Sequence, residues 1–381
     1  MADPYAAIRP FNDDEVRPVI DRLLHSDALL GALLRLRLGS SADYLGWLLR
    51  PPLRALLARR LRHVNSVYDL QMITKVYVER MIEETTGGFS VSGLEALDPK
   101  TAYLFISNHR DIAMDPAFTN YALHMAGHET LRIAIGDNLL TRDWVTDLMR
   151  LNKSFIVQRS ASGPRELLAA SKLLAGYIRH SIQNDNVPIW IAQREGRAKD
   201  GVDRTEPAII KMLSLSRDKS SETFGPHIAG LRIVPVSIAY ELDPCDGLKA
   251  HELRMRRETG GYEKAEQEDV ASIGRGISGS KGCVHVHFGT PLGADYENAD
   301  AVAAALDHQI LQGYRLHPSN VLAYRMLHGE RDLSMLEVAE GSCSERAFRA
   351  RIEAMPEAER GDALAAYANA VVAKLNLLQQ Q

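Results

Sequence analysis

Short apolar runs, each the length of a buried strand, punctuate the middle of the chain: TAYLFIS (101–107), SFIV (154–157), VPIWIA (187–192), LRIVPVSIAY (231–240) and CVHVHFG (283–289). Segments with helical spacing of apolar residues lie among them, notably Pro164 to Asn184 and Pro207 to Leu215. Continuous apolar strands that alternate with helices predict an α/β fold, with a largely parallel central sheet flanked by helices.

Both ends of the chain have a different pattern. From Val19 to Arg62 leucines recur at helical spacing with arginines beside them, and the Gly39-Ser40-Ser41 and Pro51-Pro52 breaks predict several short helices. Asn65 to Glu84 reads as a further helix that Gly87-Gly88 ends. The polar stretch from Asp243 to Lys281, with its charge run KAEQED, predicts a surface excursion. Beyond Leu292 the pattern is helical again, and the alanine-rich DALAAYANAVVAKLNLLQQQ reads as part of a helical cap. The expected organisation is an N-terminal helical subdomain over 1–85, an α/β domain over 86–295 and a C-terminal helical extension over 296–381.

Composition narrows the classes of function. With 45% hydrophobic and 25% charged residues, the 381-residue chain is that of an ordinary globular protein. Its formal net charge is −4, so it has no global basic field for nucleic acid. The N-terminus is too polar for a secretory signal, and nowhere do about 18 apolar residues run together as a membrane span requires. The three cysteines are widely spaced, which fits reduced thiols in a cytoplasmic protein.

Charge is nevertheless uneven. Between Leu29 and His63 stand seven arginines and one acid, Asp43, around leucines and Trp47. That composition suits a peripheral helix lying on an anionic membrane surface, where guanidiniums meet lipid phosphates. It also suits a soluble helical bundle that packs its leucines inward.

Candidate chemistry centres on SNHRDIAMDPA, residues 107–117, directly after an apolar run. Active-site residues of α/β sheets favour the carboxyl ends of strands. A histidine acts as a general base when a carboxylate accepts one of its ring N–H groups, and Asp111 and Asp115 are both near enough to His109. The alternative is that an aspartate caps the next helix, with Pro116 in its first turn, and His109 is a loop residue. His285 and His287 share one face of a strand, and His124 and His128 are four apart on a helix, but neither pair has the further ligand a metal site needs.

Four segments in order resemble the glycerolipid acyltransferase family, which includes glycerol-3-phosphate and 1-acylglycerol-3-phosphate acyltransferases. Asn108-His109 and Asp115-Pro116 match the ends of its first motif, with five intervening residues in place of four. Asn152 to Arg159 resembles the second motif, with serine for the usual glycine; Glu195-Gly196-Arg197 and Lys199 resemble the third; Ile233-Val234-Pro235-Val236 resembles the fourth. An extra helical residue turns a side chain by about 100°. The insertion must therefore be absorbed in the strand-to-helix turn, or Asp111 replaces Asp115; the following proline favours Asp115.

The resemblance implies an O-acyltransferase that carries a fatty acyl group from acyl-CoA or acyl carrier protein to glycerol 3-phosphate or its 1-acyl derivative. It implies His109 as base with Asp115, and Asn108, Arg159, Glu195, Gly196, Arg197 and Lys199 around the acceptor, without metal, cofactor or covalent intermediate. Arginine and lysine at strand ends suit a phosphomonoester. Two other readings are an enzyme for another acceptor, such as an ornithine-lipid precursor, and a non-catalytic lipid- or acyl-carrier-binding protein. The expected location is peripheral, at the cytoplasmic face of the membrane.

Overall fold

A computed structural model describes residues 3–39, 42–265 and 268–379. Ser40 and Ser41 of the expected break, and Glu266 and Gln267 of the KAEQED run, lie outside the described residues. Contacts divide the chain into two compact units, Met1–Tyr77 with Arg132–Tyr177, and Val78–Leu131 with Ile178–Gln381.

The smaller unit opens with α1 (Asp13–Leu24), α2 (Asp27–Leu38) and α3 (Ala42–Leu61), and α4 (Val67–Thr85) begins in it. Asp13, Asp14 and Glu15 fill the first turn of α1, where negative charge complements the exposed N–H groups. Val16, Val19, Ile20, Leu23 and Leu24 of α1 form a core with Val64 and Leu151, against which Leu57, Leu61 and Trp144 pack. The same unit holds β3 (Arg132–Gly136), α6 (Asp143–Leu151) and β4 (Ser154–Val157), with the two strands parallel, and most of α7 (Pro164–Gln183).

One expectation fails here. Pro51 and Pro52 do not break the chain; α3 runs 20 residues through them. Two prolines remove two helix hydrogen bonds and crowd the preceding turn. The helix survives because it lies along α2, where Arg50 and Arg54 approach Asp27 at 3.9 and 3.8 Å, and because Leu57 and Leu61 are held by the core. Its other side stays open, with Tyr44 and Trp47 81% and 75% exposed and Leu45, Leu48 and Leu56 exposed beside them. Among the described residues, no helix is long and apolar enough to cross a membrane.

The larger unit is built on β1 (Thr86–Ser92), β2 (Leu104–Ser107), β5 (Ile189–Ala192), β6 (Ile233–Tyr240) and β7 (Gly282–Phe288), ordered β1-β7-β6-β2-β5. Strand β2 runs parallel to both β5 and β6, β1 is parallel to β7, and β6 pairs with β7 antiparallel. Every residue of β2 and β6 is buried, as expected of strands covered on both faces. The chain is thus α/β with a largely parallel sheet.

Helix α5 (Met114–Met125) follows β2; α8 (Pro207–Leu213) and α9 (Phe224–Gly230) precede β6. The helical C-terminus comprises α12 (Ala299–Gly313), α13 (Pro318–His328), α14 (Glu345–Glu353) and α15 (Glu357–Gln379). Phe348, Ile352, Tyr367 and Val371 of its last two helices share a core with Ala239 and Leu242.

Strands β1 and β3 were not anticipated. In β1 the two glycines that read as a stop are strand residues, and Gly87 is required by close packing, since a side chain there would collide with Ser342. The stretch from Asp243 to Lys281 is a surface excursion only in its middle, around 256–265. It forms α10 (Asp246–Thr259) and α11 (Glu268–Ser278); residues 256–261 and 263–265 are exposed, but Asp246, Lys249 and Glu252 are buried in pairs. Asp246 takes Arg351 and the Tyr367 hydroxyl, Glu252 takes Lys199 and Arg256, and Lys249 takes Asp243. Polarity misled because these charges neutralise one another inside the unit.

Candidate active site

The site grows from the end of β2, where Ser107 pairs with Ala192 on one side and Val236 on the other. The strand stops there, but its ladder continues through a side chain. The Asn108 amide accepts from Ile238 N (2.8 Å) and donates to Ile238 O (3.0 Å), imitating a peptide group. Its nitrogen also donates to Asp203 Oδ2 at 3.1 Å. Asn108 is fully buried, and its amide is taken up by these protein partners.

That anchorage fixes His109, whose carbonyl accepts Ala198 N–H at 2.8 Å. The ring is mostly buried, lies edge-on to Trp190 with centroids 6.0 Å apart, and places Nδ1 2.9 Å from Asp115 Oδ2. Nε2 has no hydrogen-bond partner among the described residues.

Asp115 is fully buried in the first turn of α5. Oδ2 also accepts the backbone N–H of Arg110 (2.6 Å) and Asp111 (2.9 Å), and Oδ1 accepts the Tyr240 hydroxyl (2.7 Å). Burial, reinforced by the Asp115 charge, holds the Tyr240 phenol well above its usual range, so it stays a proton donor. A buried carboxylate needs this many donors to remain charged.

The extra residue between His109 and Asp115 is absorbed in the turn 110–113. Asp111 turns away from the imidazole and accepts Ala113 N–H (3.0 Å) and Met114 N–H (2.9 Å), closing the start of α5. Burial and the neighbouring Asp115 charge raise its pKa. The two aspartates therefore divide the roles left open in the sequence, one facing the histidine and the other capping the helix.

The turn is held from below. Lys249 of α10 donates to the Arg110 carbonyl (2.6 Å), and a side chain at Gly276 of α11 would collide with the Asp111 carboxylate. The Arg110 guanidinium is buried on Asp203 (2.7 Å) and the Gly201 carbonyl (3.2 Å), over the Tyr314 ring. Sequence reasoning missed Tyr240, Asp203, Lys249 and Trp190. Only Tyr240 and Trp190 had a local signal, at the ends or middle of apolar runs.

After β5 the chain turns through Glu195, which is exposed, and Gly196, whose φ of 73° favours glycine. Arg197 Nη1 donates to Ser272 Oγ (2.5 Å) and Lys199 pairs with Glu252 (2.8 Å). Burial lowers the Lys199 pKa while Glu252 opposes the shift. The Ala198 to His109 hydrogen bond sets this segment beside the histidine. Arg159 belongs to the smaller unit, where its backbone N–H donates to Asp137 Oδ1 (3.0 Å). Among the described residues, no group of three or more His, Cys, Asp or Glu is placed to hold a metal ion.

Residues 88–238, which contain the His109–Asp115 pair and the Glu195–Lys199 segment, match the family model described as Acyltransferase. The chain carries an acyltransferase domain. No curated protein matches the sequence. Among solved structures, the chain is similar to the 1-acyl-sn-glycerophosphate (LPA) acyltransferase PlsC from Thermotoga maritima, at 13% identity and a TM-score of 0.37, over 79% of this chain and 95% of that one. Within the acyltransferase domain, the histidine, its carboxylate and the third-motif loop all lie at the carboxyl ends of β2 and β5. Tyr240 lies just past the matched residues, yet touches the same carboxylate.

Proposed function

We propose that the acyltransferase domain moves a fatty acyl group from an acyl-CoA or acyl-carrier-protein thioester to a hydroxyl of glycerol 3-phosphate or its 1-acyl derivative. The observation that carries this reading is the 2.9 Å contact between His109 Nδ1 and Asp115 Oδ2, with Nε2 left for a substrate. With Nδ1–H held by the carboxylate, Nε2 takes the hydroxyl proton as the oxygen attacks the thioester carbonyl. The C–S bond then breaks, and the thiolate leaves with the proton returned by the imidazolium. No acyl-enzyme is needed.

Arg197, beside the histidine through Ala198, is the cation assigned here to the acceptor phosphate, with Lys199 and its partner Glu252 supporting the segment and Glu195 and Gly196 shaping the loop. Asn108 serves by extending the β2–β6 ladder. Arg159, of the smaller unit, is a second cation proposed for that phosphate. The exposed Tyr44, Trp47 and Leu48, with the exposed Arg59, Arg60 and Arg62 further along the chain, suit attachment to an anionic membrane surface at the cytoplasmic face, where such acceptors reside.

The test is thiol release from acyl-CoA with glycerol 3-phosphate, lysophosphatidate and an ornithine-lipid precursor as acceptors. Acceptor-dependent release is expected from the parent chain and none from His109→Ala, with circular dichroism unchanged. A His109→Ala variant near the parent rate overturns the mechanism. Binding without release overturns the enzyme reading.

A further inference from the structure

A cavity of about 1090 Å³ opens beside the β1–β7 edge of the sheet; neither His109 nor Asp115 lines it, though Tyr314, which lies under Arg110, does. Its floor carries three histidines. His285 and His287 alternate on one face of β7, opposite Val284, Val286 and Phe288, and His317 caps α13. They stand apart chemically from His109, His180, His227 and His251, each of which faces a carboxylate within 3.2 Å.

The cavity histidines have hydroxyl partners or none. Ser90 and Ser92 hold His285 at 2.7 and 3.0 Å, Ser92 holds His287 Nδ1 at 2.9 Å, and both ring nitrogens of the buried His317 lack a hydrogen bond. The His287 ring packs against Gly313, where any side chain would collide with it. Burial, with the charge of Arg315 nearby, depresses His285 and His317 to about 4, so both are neutral near pH 7 and keep one N–H each.

Two cations complete the lining. Arg315 is exposed and Lys374 half-buried; Lys374 donates to the Gln312 carbonyl (2.9 Å), and neither forms an ion pair among the described residues. The acids of the lining, Glu337 and Glu340, are exposed. Glu241, close to His317, is already satisfied by the N–H groups of Cys283, Ser342 and Cys343. Cations and N–H donors around a half-open cleft match an oxyanion, and the volume leaves room for an organic group attached to it.

We propose that this cavity is a second ligand site, binding a phosphomonoester through Arg315, Lys374 and the His287 and His317 imidazoles, with His285 held behind them by Ser90 and Ser92. The phosphate could be that of a free metabolite or of a lipid headgroup, and the two are separable. The full chain, labelled with 15N at histidine, is titrated with inorganic phosphate, glycerol 3-phosphate and dihexanoyl phosphatidate, and the ring signals are assigned with single His→Gln variants. The His109 signal reports the acyl-transfer centre separately.

A saturable, joint shift of the His287 and His317 signals is expected with at least one probe. A response to phosphatidate alone assigns a lipid headgroup; a response to inorganic phosphate or glycerol 3-phosphate assigns a free ligand. Arg315→Gln with Lys374→Gln should weaken binding about tenfold or more, since each removes a charge-assisted hydrogen bond. Arg315→Lys should retain it, and thiol release at His109 should persist in both variants. If the double variant fails to fold, the exposed Arg315→Gln alone gives the same reading. Ring signals unmoved by every probe, or equally moved in the charge-removed variant, overturn the proposal.

Discussion

Asp115 Oδ2 receives three donors at once: the His109 ring, 2.9 Å away, and the backbone N–H groups of Arg110 and Asp111. One carboxylate oxygen thus orients the histidine and pins the turn that carries it.

Exchanging the two aspartates' fates separates chemistry from architecture. Asp115→Asn should lower kcat by about 10³–10⁴-fold, as expected when the orienting carboxylate of a catalytic histidine is lost. Asp111→Ala should leave turnover within about tenfold while costing about 1 kcal/mol of stability for the lost cap. Steady-state kinetics and thermal melts of both variants check this; equal losses of activity would return Asp111 to the mechanism.

Tyr240→Phe removes a buried hydroxyl from the other oxygen of Asp115. A lost hydrogen bond to a charged group costs roughly 1.5–3 kcal/mol. The Asp115 carboxylate then holds the His109 ring less firmly, so kcat should fall with KM little changed, a split that simple destabilisation would not produce.

Helix α11 supplies a paired test. Gly276→Ala drives a β-carbon into the Asp111 carboxylate and should destabilise by about 1–3 kcal/mol, with a fall in kcat. Gly274→Ala, in the same helix with open space around it, should stabilise by about 0.5–1 kcal/mol and leave the rate unchanged. Calorimetry and the thiol-release assay read both.

Membrane attachment is best probed by point substitution, because deleting 1–64 would uncover Leu151 and Trp144 of the same core. Trp47→Ser with Leu48→Ser should reduce cosedimentation with anionic vesicles, and added salt should weaken what remains. Undiminished binding would remove this face from the interaction.

His285 and His317 make stability sensitive to acid in one direction. Their folded pKa values lie near 4, below the unfolded value of about 6.5. The unfolded chain therefore binds more protons between those limits, and the stability present above pH 6.5 is lost as pH falls towards 4. His285→Gln with His317→Gln should flatten the slope of urea-unfolding stability in that window; an unchanged slope would show that other groups set it.

Much of this was legible in the sequence, for identifiable reasons. The buried strands announced themselves because β2, β5 and β6 are covered on both faces and carry almost only apolar residues. Strands β1 and β3 were hidden, the first by glycines that serve close packing and the second by its half-buried residues. The His109 region was recognisable by residue type, but its partner depended on a turn whose hydrogen bonds come from side chains. Lys249, Asp203 and Gly276 carried no local signal, since their importance comes from chain segments far away in sequence.

The turn between His109 and Asp115 also bears on how related chains are found. Because Asp111 stitches the extra residue into a loop before α5 begins, the interval between the two letters can lengthen while the two atoms stay within bonding reach. A search that fixes the interval at four would pass over this chain. The chemistry constrains a distance, and a capped loop lets the count vary.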